Sequence, residues 1–314
     1  MLLTNLIYFL ASAFVLIISG IFLVKSLTKI SRYLGISEFS AAFIIMAFAT
    51  SIPELFIGVS SALNGDPSLS LGNIVGANIL DLTIITGIII ISAGKIRLKP
   101  KKIHDGLNLM FISIILVIIL FVIGRELSRI DGIILISVFF IHTYQIFKKR
   151  KKYSKRKIED GKGGLNRFYW LLIFMLALIG LFISSNFVVN SASGLAIDLG
   201  LPKILIGLLL ISIATTLPEL IFGISASNLR HKSMAIGDQV GTVVVNSTLI
   251  LGIVAIIHPI TAEFKTFIIS AVFMLISAFI FYTFVKTGNK LEKIEGISLI
   301  LIYVLFVIFE FFAK

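Results

Sequence analysis

Ala49-Thr50-Ser51-Ile52-Pro53-Glu54-Leu55 returns 165 residues later as Ala214-Thr215-Thr216-Leu217-Pro218-Glu219-Leu220. The same ungapped offset pairs Gly58 with Gly223, Ser60 with Ser225, Gly72 with Gly237, Gly76 with Gly241, Thr83 with Thr248 and Gly87 with Gly252. Upstream it reaches Leu34-Gly35 against Leu199-Gly200. Chance apolar similarity does not hold glycine, proline and glutamate in register over about forty residues, so the chain reads as an internal duplication.

Both copies lie in strongly apolar surroundings. Of 314 residues, 58% are hydrophobic and 14% charged, and mean hydropathy is +1.07. A soluble domain carries about 25% charge, so a cytosolic protein is excluded, and so is a disordered chain. Many uncharged runs reach the ~20 residues that cross a bilayer as a helix. The run 107–123 does not alternate as a barrel strand would. The expected fold is all-α and polytopic, with ten spans near 4–24, 36–63, 69–93, 106–124, 130–147, 168–190, 201–228, 234–258, 264–285 and 295–312. The N-terminal MLLTNLIYFL lacks a basic n-region and reads as the start of the first span rather than as a signal peptide. Cysteine is absent, which excludes disulfides and thiolate metal sites.

Net charge is +12. In a soluble chain this would suggest a nucleic-acid partner; here it distributes over loops. Of the 28 Lys and Arg, 23 fall in every second loop, and only Arg125, Arg129, Lys203, Lys265 and Lys314 fall on the other side. The rich side is cytoplasmic by the positive-inside rule, which puts both termini outside and the protein in the cell membrane. Ten of the basic residues lie in the linker after span five. That linker anchors topology, and its basic run 148–157 is suited to anionic lipid headgroups. Five spans precede it, so the second five enter with opposite orientation. The expected organisation is therefore 1–147 and 168–314 as inverted five-helix repeats joined by a basic cytoplasmic segment, 148–167. No nucleic-acid partner is expected, and the chain is expected to be a monomer.

Ionisable residues inside spans are costly and point to function. Glu54, Asp81 and Glu219 fall at span centres, and Asn246 occupies the position that repeats Asp81. At ~1.5 Å per residue, Glu54 lies roughly 14 Å and Asp81 roughly 18 Å below the outer loop, near mid-bilayer. Glu219 and Asn246 come out at similar depths from the inner loop. Converging carboxylates repel unless cations or protons neutralise them. Thr50 and Glu54, four apart, share a helix face, with Ser51 beside them. Pro53 and Pro218 lack an N–H and are expected to free the carbonyls of Ala49 and Ala214. Carboxylate, hydroxyl, amide and carbonyl oxygens suit hard cations such as Ca²⁺ and Na⁺. His104, His142, His231 and His258 lie at or near span ends and read as interfacial. The Gly72/Gly76 and Gly237/Gly241 pairs suit close helix packing or close approach to an ion. Asn73 and Asp238, partners under the offset, cap a helix or reach the site's edge. Asn78 faces Val243 under the offset and suits a helix–helix hydrogen bond; Asp66-Pro67 reads as a turn.

These motifs resemble the sodium/calcium exchanger branch of the calcium:cation antiporter superfamily. Members carry G-T-S-x-P-E in the second span and G-S-x-x-x-N/D in the third, repeated in spans seven and eight. The first reads here Ala49–Glu54 and Ala214–Glu219; the second reads Gly76–Asp81 and Gly241–Asn246. The resemblance implies Glu54 and Glu219 as shared Ca²⁺ ligands. It implies that Thr50, Ser51, Thr215, Thr216, Asp81 and Asn246, with the carbonyls of Ala47 and Ser212, complete the Na⁺ and Ca²⁺ sites. Transported ions, and no cofactor, are then expected. It further implies alternating access, with spans one and six sliding across a rigid core.

Three departures bear on coupling. Ala replaces Gly at 49 and 214. Ala77 removes a hydroxyl that members offer to Na⁺, while Thr242 keeps one. Asp81 stands at the late position that potassium-dependent members fill with Asp, although in them it lies in the second repeat. A Ca²⁺/H⁺ or K⁺-assisted exchanger is thus the near alternative; against the proton branch, Gly76 stands where its G-N-x-x-E motif has glutamate. An intramembrane aspartyl hydrolase on Asp81 and Asp238 is the alternative of another class. The offset argues against it, because it pairs Asp238 with Asn73.

Overall fold

Helix breakers set the boundaries of the apolar runs. In the computed structural model, which describes residues 2–65, 67–97, 100–148, 163–198, 212–288 and 290–312, eleven helices follow one another. They are α1 (Leu2–Leu34), α2 (Glu38–Thr50), α3 (Ile52–Leu63), α4 (Pro67–Ala93), α5 (Pro100–Gly124) and α6 (Arg129–Lys148). Then come α7 (Gly163–Asp198), α8 (Ser212–Asn228), α9 (Lys232–Ile257), α10 (Phe264–Gly288) and α11 (Lys293–Phe312). Six of these are individually long and apolar enough to cross a bilayer, and the bent pair α2–α3 makes a seventh. The polytopic helical class is as expected. The count by this measure reaches seven among the described residues, and the described parts of α6, α8 and α11 are not among them. Residues 201–211 of the expected seventh span, and the basic run 149–162, lie outside the described residues.

The first span was expected to end near residue 24, but α1 runs on to Leu34. Lys25, Lys29 and Arg32 therefore sit on its last turns, where basic side chains reach toward the interface and favour the helix C-terminus. Lys29 Nζ lies 5.8 Å from the centre of the Trp170 ring on α7, and Arg167 of α7 lies 5.6 Å from that of Tyr33. Gly35, at φ +65°, stops the helix. Its N–H donates to Arg32 O at 3.1 Å, and Ile36 N–H donates to Ser31 O at 3.1 Å, which closes a Schellman cap. Helices α1 and α7 lie along one another, outside the packed centre formed by the rest.

Four short strands modify the all-α expectation: β1 (Lys95–Arg97), β2 (Glu126–Leu127), β3 (Ile260–Thr261) and β4 (Lys290–Glu292). β1 pairs antiparallel with β4, placing Ile96 opposite Leu291, and β2 pairs with β3, placing Leu127 opposite Ile260. Each ladder joins one strand from before the basic linker to one from after it. One ladder maps onto the other with an offset of 164, so the duplication continues past Gly94 after losing one residue.

Solvation is inverted relative to a soluble protein. Ile7, Phe14, Ile17, Phe140, Ile141, Leu301 and Phe309 face outward, as lipid-facing surface requires. The centre holds Thr50, Ser51, Glu54, Asn78, Asp81, Glu219, Asp238 and Asn246, each no more than 1% exposed. Gly237 and Gly241 let α9 press on α2: a Cβ at 237 would stand 2.6 Å from Phe39 O, and one at 241 would strike Phe43 O. The packing reading of that glycine pair is the one observed. The counterparts of Phe39 and Phe43 under the offset, at 204 and 208, lie outside the described residues.

Candidate cation site

Two local distortions bring the polar groups together. Ser51, with φ −78° and ψ 6°, breaks the second span, and α3 leaves α2 at 44°. Pro53, in the first turn of α3, cannot continue the α2 ladder. The carbonyl of Ala49 is left without the i+4 donor that Pro53 cannot supply, as expected. The carbonyl of Ala47 accepts Ser51 N–H at 3.1 Å and the Thr50 hydroxyl at 3.3 Å; that hydroxyl also donates to Met46 O at 3.1 Å. In the second copy Pro218 lies inside a continuous α8.

The second distortion is helical widening. Wide π-helical turns occupy Ala42–Met46 in α2, Asp81–Ile85 in α4 and Val245–Ile250 in α9. The last two coincide under the 165-residue offset, and such insertions favour functional sites. Threonines support both: Thr83 donates to Ile79 O, and Thr248 donates to Val244 O at 2.6 Å. Thr86 spans five residues to the Asp81 carbonyl at 2.6 Å. Sequence reading paired Thr83 with Thr248 but gave them no role, since widening leaves no composition signal.

Around these turns lie the predicted residues. Among the described residues no donor reaches either oxygen of Asp81, either oxygen of Glu219, or Oε2 of Glu54. The Ser51 hydroxyl, Thr242 Oγ1, Asn246 Oδ1 and Asp238 Oδ1 are likewise unpartnered. Thr216 is buried. The side chains of Ser212 and Thr215 lie outside the described residues. Asp238, on α9, is fully buried. Its Oδ2 accepts from Gln239 Nε2 at 3.4 Å.

Burying several carboxylates without donors is unfavourable by several kcal/mol unless cations or protons take the donors' place. No three His, Asp or Glu side chains among the described residues stand close enough to hold a metal by themselves. A cation here needs hydroxyl, amide and carbonyl oxygens beside the carboxylates, which is a hard-ion ligand set. Asp81 and Asp238 share no hydrogen bond, so the proton-sharing dyad of an aspartyl hydrolase is not formed.

Asn78 makes the helix–helix contact expected of it. It receives Asn246 Nδ2 on its Oδ1 at 3.2 Å, and its own Nδ2 donates to Ser247 Oγ at 2.9 Å and Met274 Sδ at 3.6 Å. Ser247 and Met274 were missed in the sequence, because neither pairs with a polar residue under the offset.

Fold and site together define a polytopic helical membrane protein with duplicated sequence elements around a buried, oxygen-rich cluster of polar side chains. The model of the sodium/calcium exchanger protein family matches residues 4–148 and again 169–312, and the chain belongs to that family. It is 26% identical to the sodium/calcium exchanger MaX1 of Methanosarcina acetivorans, over 93% of this chain and 94% of that one. It is 25% identical to the inner membrane protein YrbG of Escherichia coli, over 76% and 75%. Among solved structures, the sodium-calcium exchanger NCX_Mj soaked with 10 mM Na⁺ and zero Ca²⁺ superimposes with TM-score 0.83 at 22% identity. That match covers 98% of this chain and 99% of the other and shows the shared fold.

Proposed function

We propose that this protein is a secondary antiporter that exchanges Na⁺ for Ca²⁺ by alternating access, with both ions as substrates bound at mid-membrane. The observation that carries this reading is the pair Glu54 and Glu219: related by the 165-residue offset, 1% exposed, with Oε2 of Glu54 and both oxygens of Glu219 lacking donors among the described residues. Ca²⁺ bridges the two glutamates. Thr50, Ser51, Thr215, Thr216, Asp81, Asn246 and Thr242, with the carbonyls of Ala47 and Ser212, complete the ion ligands. Membership of the exchanger family supports the assignment. The double match of the family model supports the division at the basic linker into 1–147 and 168–314. The lysine and arginine bias supports a cell-membrane orientation with both termini outside and the 148–157 run facing anionic lipid. The long α1–α7 pair, lying outside the packed centre, is the element suited to sliding.

Charge balance favours a second reading of the coupling. Glu54, Asp81, Glu219 and Asp238 carry up to four negative charges, and one Ca²⁺ neutralises two. Two monovalent cations accompanying Ca²⁺, protons or K⁺, would neutralise the remaining two. Uptake of ⁴⁵Ca into vesicles, with an imposed Na⁺, K⁺ or pH gradient, separates the two. Uptake driven by an outward Na⁺ gradient is expected. Na⁺-independent uptake driven by ΔpH alone would overturn the Na⁺/Ca²⁺ assignment.

A further inference from the structure

An amide that binds a cation must present its oxygen, because its N–H₂ end repels the ion. Asn246 stands at the centre of the site with Oδ1 unpartnered and 0% exposure. Its orientation is set by a chain of hydrogen bonds whose direction can be read from the far end. Met274 Sδ has no proton to give, so the end of Asn78 that meets it is the N–H₂ end. The same Nδ2 donates to Ser247 Oγ. Asn78 is therefore left with Oδ1 facing Asn246, and only Nδ2 of Asn246 can satisfy it. The consequence is that Oδ1 of Asn246 points away from Asn78 and is free for an ion.

The duplication shows why this chain of bonds occurs once. Under the 165-residue offset, Asn78, Asn246 and Ser247 correspond to Val243, Asp81 and Leu82. Asp81 has two equivalent oxygens and needs no orientation; Asn246 has one oxygen and does. The bonds accompany the amide, and the positions corresponding to Asn78 and Ser247 in the other copy are apolar.

We propose that Asn78, held by Ser247 and Met274, is a positioning residue that fixes the polarity of the Asn246 amide so that its oxygen faces the transported cation. This rests on the reading of Asn246 as an ion ligand. Asn78→Leu removes the acceptor and lets the Asn246 amide turn over, which places N–H donors toward the ion.

A carboxylate cannot be placed the wrong way round, so Asn246→Asp removes the need for Asn78. The test is the Ca²⁺ or Na⁺ concentration that gives half-maximal thermal stabilisation of the purified full-length protein, with CaCl₂ or NaCl as the only added ligand. Asn78→Leu, and Asn78→Ala should the leucine variant not fold, is expected to raise that concentration about tenfold, the equivalent of one displaced hydrogen-bond-strength contact. The same change on an Asn246→Asp background is expected to shift it less than about twofold, as the coupling of a double-mutant cycle. Equal loss on both backgrounds would mean a packing role and overturn the proposal, as would no loss on either. A wild type that no cation stabilises would overturn it too. Cation stabilisation without Na⁺-driven ⁴⁵Ca uptake would instead overturn the exchange reading alone, because stabilisation reports binding and not transport.

Discussion

Gly87 and Gly296 cross backbone to backbone: a Cβ on Gly87 would stand 2.7 Å from the Gly296 carbonyl oxygen, and one on Gly296 would stand 2.9 Å from that of Gly87. Gly252 and Gly132 repeat the crossing, at 2.8 Å and 2.7 Å. Each crossing fastens a helix of the site, α4 or α9, to a helix on the far side of the basic linker, α11 or α6. A side chain there must separate two backbones, and overpacking of this kind costs about 1–3 kcal/mol. Gly87→Val and Gly252→Val are each expected to lower the thermal midpoint of the detergent-solubilised protein. Gly124→Ala, where a Cβ meets no atom within 4 Å, is expected to leave it unchanged. Equal midpoints for all three would show that the crossings are not tight.

The parts of this fold that were legible in the sequence are those with a chemical signature at fixed spacing. Glu54, Pro53 and Gly58 could be matched to Glu219, Pro218 and Gly223 because an acid, an imino acid and a missing side chain each resist chance substitution inside a membrane. That α6 and α11 are counterparts followed from the five-plus-five span count, but their residue register was not legible. The offset slips by one residue near Gly94, and what survives is a crossing of glycines and two strand pairs rather than a motif. The widened turns at Asp81 and Val245 were hidden for a different reason: they follow from the hydroxyls of Thr83, Thr86 and Thr248 competing for backbone carbonyls, which threonine can do in any helix. The close packing of α9 on α2 at Gly237 and Gly241 was legible as a small-residue pair, but its partners Phe39 and Phe43 were not, because sequence spacing does not encode which helix a glycine meets.

Glu54→Gln and Glu219→Gln each keep size and remove one charge from the pair expected to bridge Ca²⁺. Both oxygens of Glu219 lack hydrogen-bond partners among the described residues, so its charge is expected to depend on a bound ion. Loss of one carboxylate from a dehydrated divalent site is expected to abolish Na⁺-driven ⁴⁵Ca uptake while the protein still folds. Folding is even expected to improve in the absence of ions, since a buried unpaired charge is removed. Retained exchange in either variant would refute the ligand assignment.

Asp81→Asn and Asp238→Asn separate ligand from field. Asp81 lies on a widened turn, at the position that repeats Asn246, so its replacement makes the site symmetric in amides. Na⁺/Ca²⁺ exchange is expected to survive with an altered dependence on pH or K⁺. Asp238 is buried on the same helix as Asn246, and Asp238→Asn is expected to weaken cation affinity by a smaller factor without changing which ions are exchanged. The two variants are compared by ⁴⁵Ca uptake across a pH series, with and without K⁺. Identical profiles for both would show that Asp81 is no closer to the ions than Asp238.

Outside the membrane, Glu292 of β4 offers a titration of known sign. Its carboxylate lies 2.8 Å from Lys95 Nζ on the paired strand β1 and 3.0 Å from Lys290 Nζ. Hydrogen bonds first from Lys95 and then from Lys290 hold its pKa below the usual value near 4.5. A carboxyl whose pKa is lowered by folding stabilises the fold above the unfolded value and loses that contribution as pH falls through the folded one. The wild-type protein is therefore expected to melt slightly above Glu292→Gln at neutral pH, with the gap closing as the solution is acidified below about pH 4.5. The pair is solvent-exposed, so the gap is expected to be small and to shrink in high salt. A gap that persists at acid pH would mean that glutamine disturbs the β1–β4 ladder itself rather than its charge pairing.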